Sequence, residues 1–285
     1  MKSRDILKKH IVPYENRIVA FFDLQGFKEK IIPSCPPEEI GAIFGYFAAV
    51  QNLLERDYPN LLVTIISDSI VVSSTLNDIS DLQSFFEACT HYVTPKIGTD
   101  FFAVRGGIAY GELHHKDNIV FGPALIEAYN LSEKQQGIRY LRTTMKKETF
   151  QMLSKIPNAG SFIKAFLFPT EEGCYRFDPW LFEFAMLSLD CDKRNWKRKE
   201  EIFNTTVILL EKYLLWCILN ARTYKNKRQD IFEKYSDLMV QTIMTFKMVK
   251  EVYLRFLPEK DQKVICQYSD EMYSAQLLNQ KEEQT

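Results

Sequence analysis

The chain has 285 residues, 46% of them hydrophobic and 26% charged, with a formal net charge of −1, an ordinary globular composition. Balanced charge gives no basic face for nucleic acid, and the six cysteines carry no CxxC spacing, so neither a zinc cluster nor a disulfide framework is expected. The richest apolar run, "VILLEKYLLWCIL", is broken by Glu211 and Lys212 and is too short to span a bilayer; with no apolar leader in "MKSRDILKKHIVPYENR", a cytoplasmic chain without nucleic-acid or membrane partners is expected.

The first element is the run "RIVAFFDLQGFKEKI", in which Ile18 to Phe22 read as a buried strand ending on Asp23. A carboxylate at the end of a buried strand needs a partner, a metal ion or an edge position. Gly26 follows where the chain can turn or approach a ligand closely. "PPEEIGAIFGYFAAVQNLLERDY" (36 to 58) spaces Ile40, Ile43, Phe44, Phe47, Val50 and Leu54 as an amphipathic helix. "NLLVTIISDSIVVSSTL" gives two strands, Leu61–Ile66 and Ile70–Ser73, as a hairpin with Asp68 at its tip. "DISDLQSFFEACTHYV" is a second helix, capped by Asn77 or Asp78. "FFAVRGGIAYGELHHKDNIVFG" is another strand pair turning at Lys116-Asp117-Asn118, with His114 and His115 on the hairpin surface. "PALIEAYNLSEKQ" opens a third helix on Pro123, and "GCYRFDPWLFEF" is a closing strand.

The order β, α, β, β, α, β, β, α implies an α+β fold, helices over a mainly antiparallel sheet, related to the ferredoxin-like split βαβ unit. Near residue 186 the character changes. "IFNTTVILLEKYLLWCILNA" and "DIFEKYSDLMVQTIMTFKMVKEVYLRFL" read as two long helices, and "DQKVICQYSDEMYSAQLLNQ" as a third. The expected division is a catalytic domain over 1–185 and a helical extension over 186–285.

If the strands bearing Asp23 and Asp68 are neighbours, both acids face one end of the sheet. Paired acids repel unless a proton or a divalent cation lies between them. Mg²⁺ favours one or two carboxylates completed by substrate phosphates, and two such ions can clamp the attacking and leaving oxygens of a phosphoryl transfer. Peptide N–H groups at Gln25, Gly26 and Phe27 could cradle phosphate oxygens, and Arg105 offers a forked cation suited to a triphosphate.

"FFDLQGF", "TIISDSIVVSS" and "VRGGIAYGEL...NIVFGPALIEAYNL" stand in the order and spacing of the class III nucleotidyl cyclase domain, which residues 16 to 180 resemble. Their wording is most similar to the bacterial pyrimidine cyclases of the Pycsar anti-phage systems. The resemblance implies Asp23 and Asp68 as ligands of two Mg²⁺ or Mn²⁺ ions, with the Leu24 carbonyl completing one site. It places Gly26 and Phe27 in the turn over the triphosphate and Arg105 on its outer phosphates. It implies conversion of a nucleoside triphosphate, UTP or CTP, to a 3′,5′-cyclic nucleotide and pyrophosphate, as second-messenger synthesis in anti-phage defence. It also implies a head-to-tail homodimer with composite sites, the helix near 123–135 reaching Asp23 from the partner.

Two departures stand out. Where many cyclases have an asparagine and a transition-state arginine, this chain has Ile126 and Asn130; Lys134, Arg139 or Arg142 could substitute. The base-selecting position, a lysine or glutamate in purine cyclases, is Thr64, and its counterpart lies near Asn118 or Ile119. Phe44, Tyr46 and Phe47 could narrow the base pocket. A purine cyclase and a catalytically inactive nucleotide-binding module of the same fold are the alternatives.

Overall fold

The computed structural model describes residues 14–27, 36–93, 96–97, 100–101, 103–133, 141–182, 186 and 196–254. The first half of the chain runs β1 (Glu15–Gln25), α1 (Pro37–Asp57), β2 (Leu61–Ile66), β3 (Ser69–Ser74) and α2 (Ile79–Val93). The short pair β4 (Lys96–Ile97) and β5 (Asp100–Phe101) precedes β6 (Ala103–Lys116), β7 (Ile119–Phe121) and α3 (Pro123–Glu133). Then come β8 (Thr143–Lys146), α4 (Lys147–Leu153), α5 (Ala159–Ile163), β9 (Leu167–Pro169) and β10 (Cys174–Phe177). Two long helices, α6 (Trp196–Tyr224) and α7 (Gln229–Leu254), follow.

The main sheet is ordered β2-β3-β1-β6-β8-β10-β9, with β7 paired to β6 outside that path. Its first four strands are antiparallel neighbours in the order of the split βαβ unit, and only β6 and β8 run parallel. The α+β architecture expected from the sequence is therefore present, with its helical C-terminal region.

Strand alternation sorts the sheet into two unlike faces. Ile18, Ala20, Phe22 and Leu24 of β1, with Ile70, Val72 and Ile108, point to one side, where each is almost fully buried. Leu82, Phe85 and Phe86 of α2 are fully buried as well. The Phe86 ring meets those of Phe166 and Phe177 at 4.9 and 5.2 Å between centroids. Asp78 starts α2, its Oδ1 accepting from the N–H groups of Ser80 and Asp81 at 2.8 and 3.1 Å.

The other face is covered by α3, through Val19, Val71, Ala109, Leu113, Ala124 and Ala128. The helix lies so close that a Cβ on Gly107 would stand 2.0 Å from the Ala128 carbonyl oxygen. Glycine there is thus a condition of packing rather than a strand kink.

The amphipathic reading of α1 holds for Ile43 and Leu54, which are buried, but Ile40 and Phe44 are exposed, Phe44 at 73%. The chain forms two compact units, 1–243 and 244–285. Within the first, α6 is anchored by Tyr213 against Trp180 (5.6 Å) and meets α7 through Trp216 and Tyr235 (5.3 Å). The third C-terminal helix lies outside the described residues.

Candidate active site

β1 leaves the sheet through Gly26, whose φ of +79° is a left-handed value that glycine adopts without strain. Phe27, just beyond, is buried with its ring 6.2 Å from that of Phe47 on α1. On the β2–β3 side the chain reverses through Ser67, also left-handed, and Asp68. The Asp68 carbonyl accepts from the Leu24 N–H at 3.0 Å, so the hairpin tip lies beside the end of β1. The register sets Asp23 opposite Ser69 on one side and Arg105 on the other.

Two carboxylates, Asp23 and Glu133, pair with one guanidinium at this point. Arg105 Nε donates to Asp23 Oδ2 at 2.7 Å, and Gln25 Nε2 donates to the same oxygen at 2.5 Å. Arg105 Nη2 pairs with Asp23 at 2.7 Å and also with Glu133 in the last turn of α3. The arginine is buried, and its Nη1 has no hydrogen-bond partner among the described residues, an expensive state for a cationic donor. Burial raises the Asp23 pKa; Arg105 pulls it back, and the charges of Asp68 and Glu133 push it up again, leaving it above the ordinary aspartate value. Sequence analysis missed Glu133. Its spacing on α3 offers no signal, because only the pairing of Asp23 with Arg105 across the sheet brings it near.

The donors at this corner suit a divalent cation. The Asp23 and Asp68 carboxylates and the Leu24 peptide carbonyl are oxygen donors of the hard kind that would fit Mg²⁺ or Mn²⁺. Among the described residues no group of three or more His, Cys, Asp or Glu side chains is gathered to hold a metal. Arg105 Nη1, without a partner among the described residues, is a donor that an anionic oxygen would satisfy.

Thr64 lies on the same face, on β2. It is buried, and its hydroxyl is 2.9 Å from His115 Nε2. His115 Nδ1 is 2.8 Å from Ser73 Oγ, which accepts from Arg17 Nε at 3.1 Å. The expectation that His114 and His115 are hairpin surface is therefore corrected: both are buried, His114 against Phe121 at 4.8 Å. Each histidine follows its strand's alternation to an opposite face, where packing encloses it.

Ile126 is 62% exposed and Asn130 half-buried, so no cation stands at either position. Arg142 is engaged elsewhere, donating to Glu172 at 2.7 Å; Lys134 and Arg139 lie outside the described residues. The expectation that α3 reaches Asp23 only from a partner is also corrected. In this chain α3 packs on its own β1 and β6, with Tyr129 edge-on to Phe21 at 5.3 Å and Glu133 on Arg105. Asn118 and Ile119 are exposed on the β6–β7 turn and β7. The Phe44 side chain is exposed, and the Phe47 ring lies 6.2 Å from that of Phe27.

No protein-family model matches the chain, and no curated protein matches it. Solved structures resemble it distantly. The adenylyl cyclase CyaB from P. aeruginosa is 12% identical, covering 59% of this chain and 96% of its own at a TM-score of 0.39. The guanylyl cyclase domain of the RhoGC fusion protein from Blastocladiella emersonii is 12% identical, with 58% and 96% covered and a TM-score of 0.41. A bacterial light-regulated adenylyl cyclase is 11% identical, with 68% and 100% covered and a TM-score of 0.40. Likeness this distant does not bear on activity.

Proposed function

We propose that this chain is a metal-dependent nucleotide cyclase that converts UTP or CTP to the 3′,5′-cyclic mononucleotide and pyrophosphate. The observation that supports this reading best is the meeting of Asp23, Asp68 and Arg105 at one sheet corner. Those three come from motifs that resemble the cyclase motifs in order and spacing. Asp23, Asp68 and the Leu24 carbonyl would hold the divalent cations, which when bound acidify the ribose 3′-hydroxyl and draw charge from the phosphates.

The chain's own part is orientation and charge. The turn through Gly26 presents peptide N–H groups toward phosphate oxygens, and Arg105 Nη1 supplies a buried donor with no partner among the described residues. The 3′-oxygen forms a bond to its own α-phosphorus, the bond to the bridging oxygen breaks, and pyrophosphate leaves with that electron pair. The hydroxyl proton passes to solvent.

The reading includes a homodimer. Ile119, Phe121, Ile126 and Tyr129 are large apolar residues on β7 and α3, each between 46% and 62% exposed. Exposed apolar side chains of this kind suit association. A part in anti-phage signalling follows from the resemblance alone.

A catalytically inactive nucleotide-binding module is the second reading, favoured by Ile126 and Asn130 in place of a transition-state arginine. Incubation with each nucleoside triphosphate and Mn²⁺, following pyrophosphate and cyclic nucleotide, separates the two. Turnover of UTP or CTP supports the cyclase; binding without pyrophosphate release supports the module; turnover confined to ATP or GTP refutes the pyrimidine assignment.

A further inference from the structure

Arg17, Ser73, His115 and Thr64 form a buried chain of side chains from three strands and the end of a fourth, each under a tenth exposed. The hydrogen positions in it follow from counting donors. Arg17 is always charged and its Nε can only donate, so Ser73 Oγ accepts at that 3.1 Å contact. His115 is held neutral by burial, with the charges of Arg17 and His114 acting the same way, its pKa lowered to about 4. A neutral imidazole has one N–H and one lone pair.

The fully buried Ser73 hydroxyl proton has one acceptor among the described residues, His115 Nδ1 at 2.8 Å. The imidazole proton is then on Nε2, and it is donated to Thr64 Oγ1 at 2.9 Å. Every step runs the same way: Arg17 to Ser73, Ser73 to His115, His115 to Thr64. Donors aligned in series polarise one another. The Thr64 hydroxyl proton is left at the end of the series with no acceptor in the described chain.

Thr64 and Phe21 both pair with Val71, so Thr64 shares the face of Asp23, two strands across and two residues back. By strand spacing and rise that is about 12 Å, the scale of the reach from a nucleotide's base to its phosphates.

We propose that His115 fixes the Thr64 hydroxyl as a donor toward the base, so that the site reads a ring carbonyl at the position where cytosine carries an amino group, and selects uracil. This rests on the pyrimidine cyclase reading and narrows it. His115 is a positioning residue acting through Thr64. An amino group at that position would set two donors against each other and leave both unpaired, which a buried polar site rejects.

The test is calorimetric binding of UTP and CTP to the full chain with Mg²⁺, with pyrophosphate release scored separately, so that loss of turnover and loss of base preference are distinguished. The wild type should bind UTP at least about tenfold more tightly than CTP. That ratio should fall toward one in His115→Leu and Thr64→Val. It should persist in Thr64→Ser, and in His115→Gln, whose amide can still donate to Thr64. Circular dichroism checks folding, and the Thr64→Ser and Thr64→Val pair decides the matter if His115→Leu does not fold. Equal affinities in the wild type, a ratio unchanged in Thr64→Val, or no binding of either nucleotide would overturn the proposal.

Discussion

The two faces of one sheet are built from alternate residues of the same strands and have opposite character. On one, Ile18, Ala20, Phe22 and Leu24 are apolar and almost fully buried. On the other, the face that α3 packs on, Arg17, Asp23 and Arg105 are buried or half-buried and held by hydrogen bonds and ion pairs. Burying charge costs stability that an apolar face would not, so the first face holds the fold while the second is where a ligand can interact. Substitutions on the two faces should therefore fail in different ways.

The largest contrast is between Asp23→Ala or Asp68→Ala and Phe86→Ala. Either aspartate variant should lose cyclic nucleotide formation by more than about a hundredfold while keeping its far-ultraviolet circular dichroism. Phe86→Ala should lose about 3–5 kcal/mol of unfolding free energy in urea, with normal turnover per folded molecule. A wild-type rate in either aspartate variant would remove the distinction.

Gly107→Ala tests how α3 is seated. Its methyl group would meet the Ala128 carbonyl at 2.0 Å, so the helix must lift. A loss of about 3 kcal/mol is expected in urea unfolding, together with weakened coupling of Glu133 to Arg105. Gly111→Ala, whose Cβ would meet Ala124 Cβ at 3.7 Å, should be close to neutral.

A smaller effect lies in pH. His115 is lowered to about 4 in the folded chain against about 6.5 unfolded, so between those values the unfolded chain binds the extra proton. Stability therefore falls as pH drops from about 6.5 toward 4, by at most about 1.4 kcal/mol per unit from this group. His115→Gln should flatten that part of the profile; an unchanged slope would mean that His115 titrates normally.

The order of the elements up to α3, apart from the short pair β4 and β5, and the hairpin turn at Asp68 were legible in the sequence, because apolar alternation and turn residues are local signals. The opposite holds for Glu133 and His115. Glu133 enters the site only through the β1–β6 register, and His115 is enclosed only because Thr64 and Ser73 come to the same face. Adjacent histidines in a hairpin look like surface when their strand partners are unknown. The exposure of Phe44 was missed for a related reason: helical periodicity gives a stripe but not how far the neighbouring elements cover it.

The smallest expected effect joins the two acids. Asp68 raises the Asp23 pKa through its charge, so Asp68→Asn should lower that pKa in carboxyl ¹³C titration, and an unmoved value would place the acids too far apart to act together.

The central claim, that Asp23 and Asp68 jointly hold divalent cations against a nucleotide, is tested most directly by electron paramagnetic resonance titration of Mn²⁺ with UTP present. The wild type should take up two Mn²⁺ ions per site, and Asp23→Asn and Asp68→Asn should each lose that uptake. Mn²⁺ uptake by both variants equal to the wild type would contradict the account.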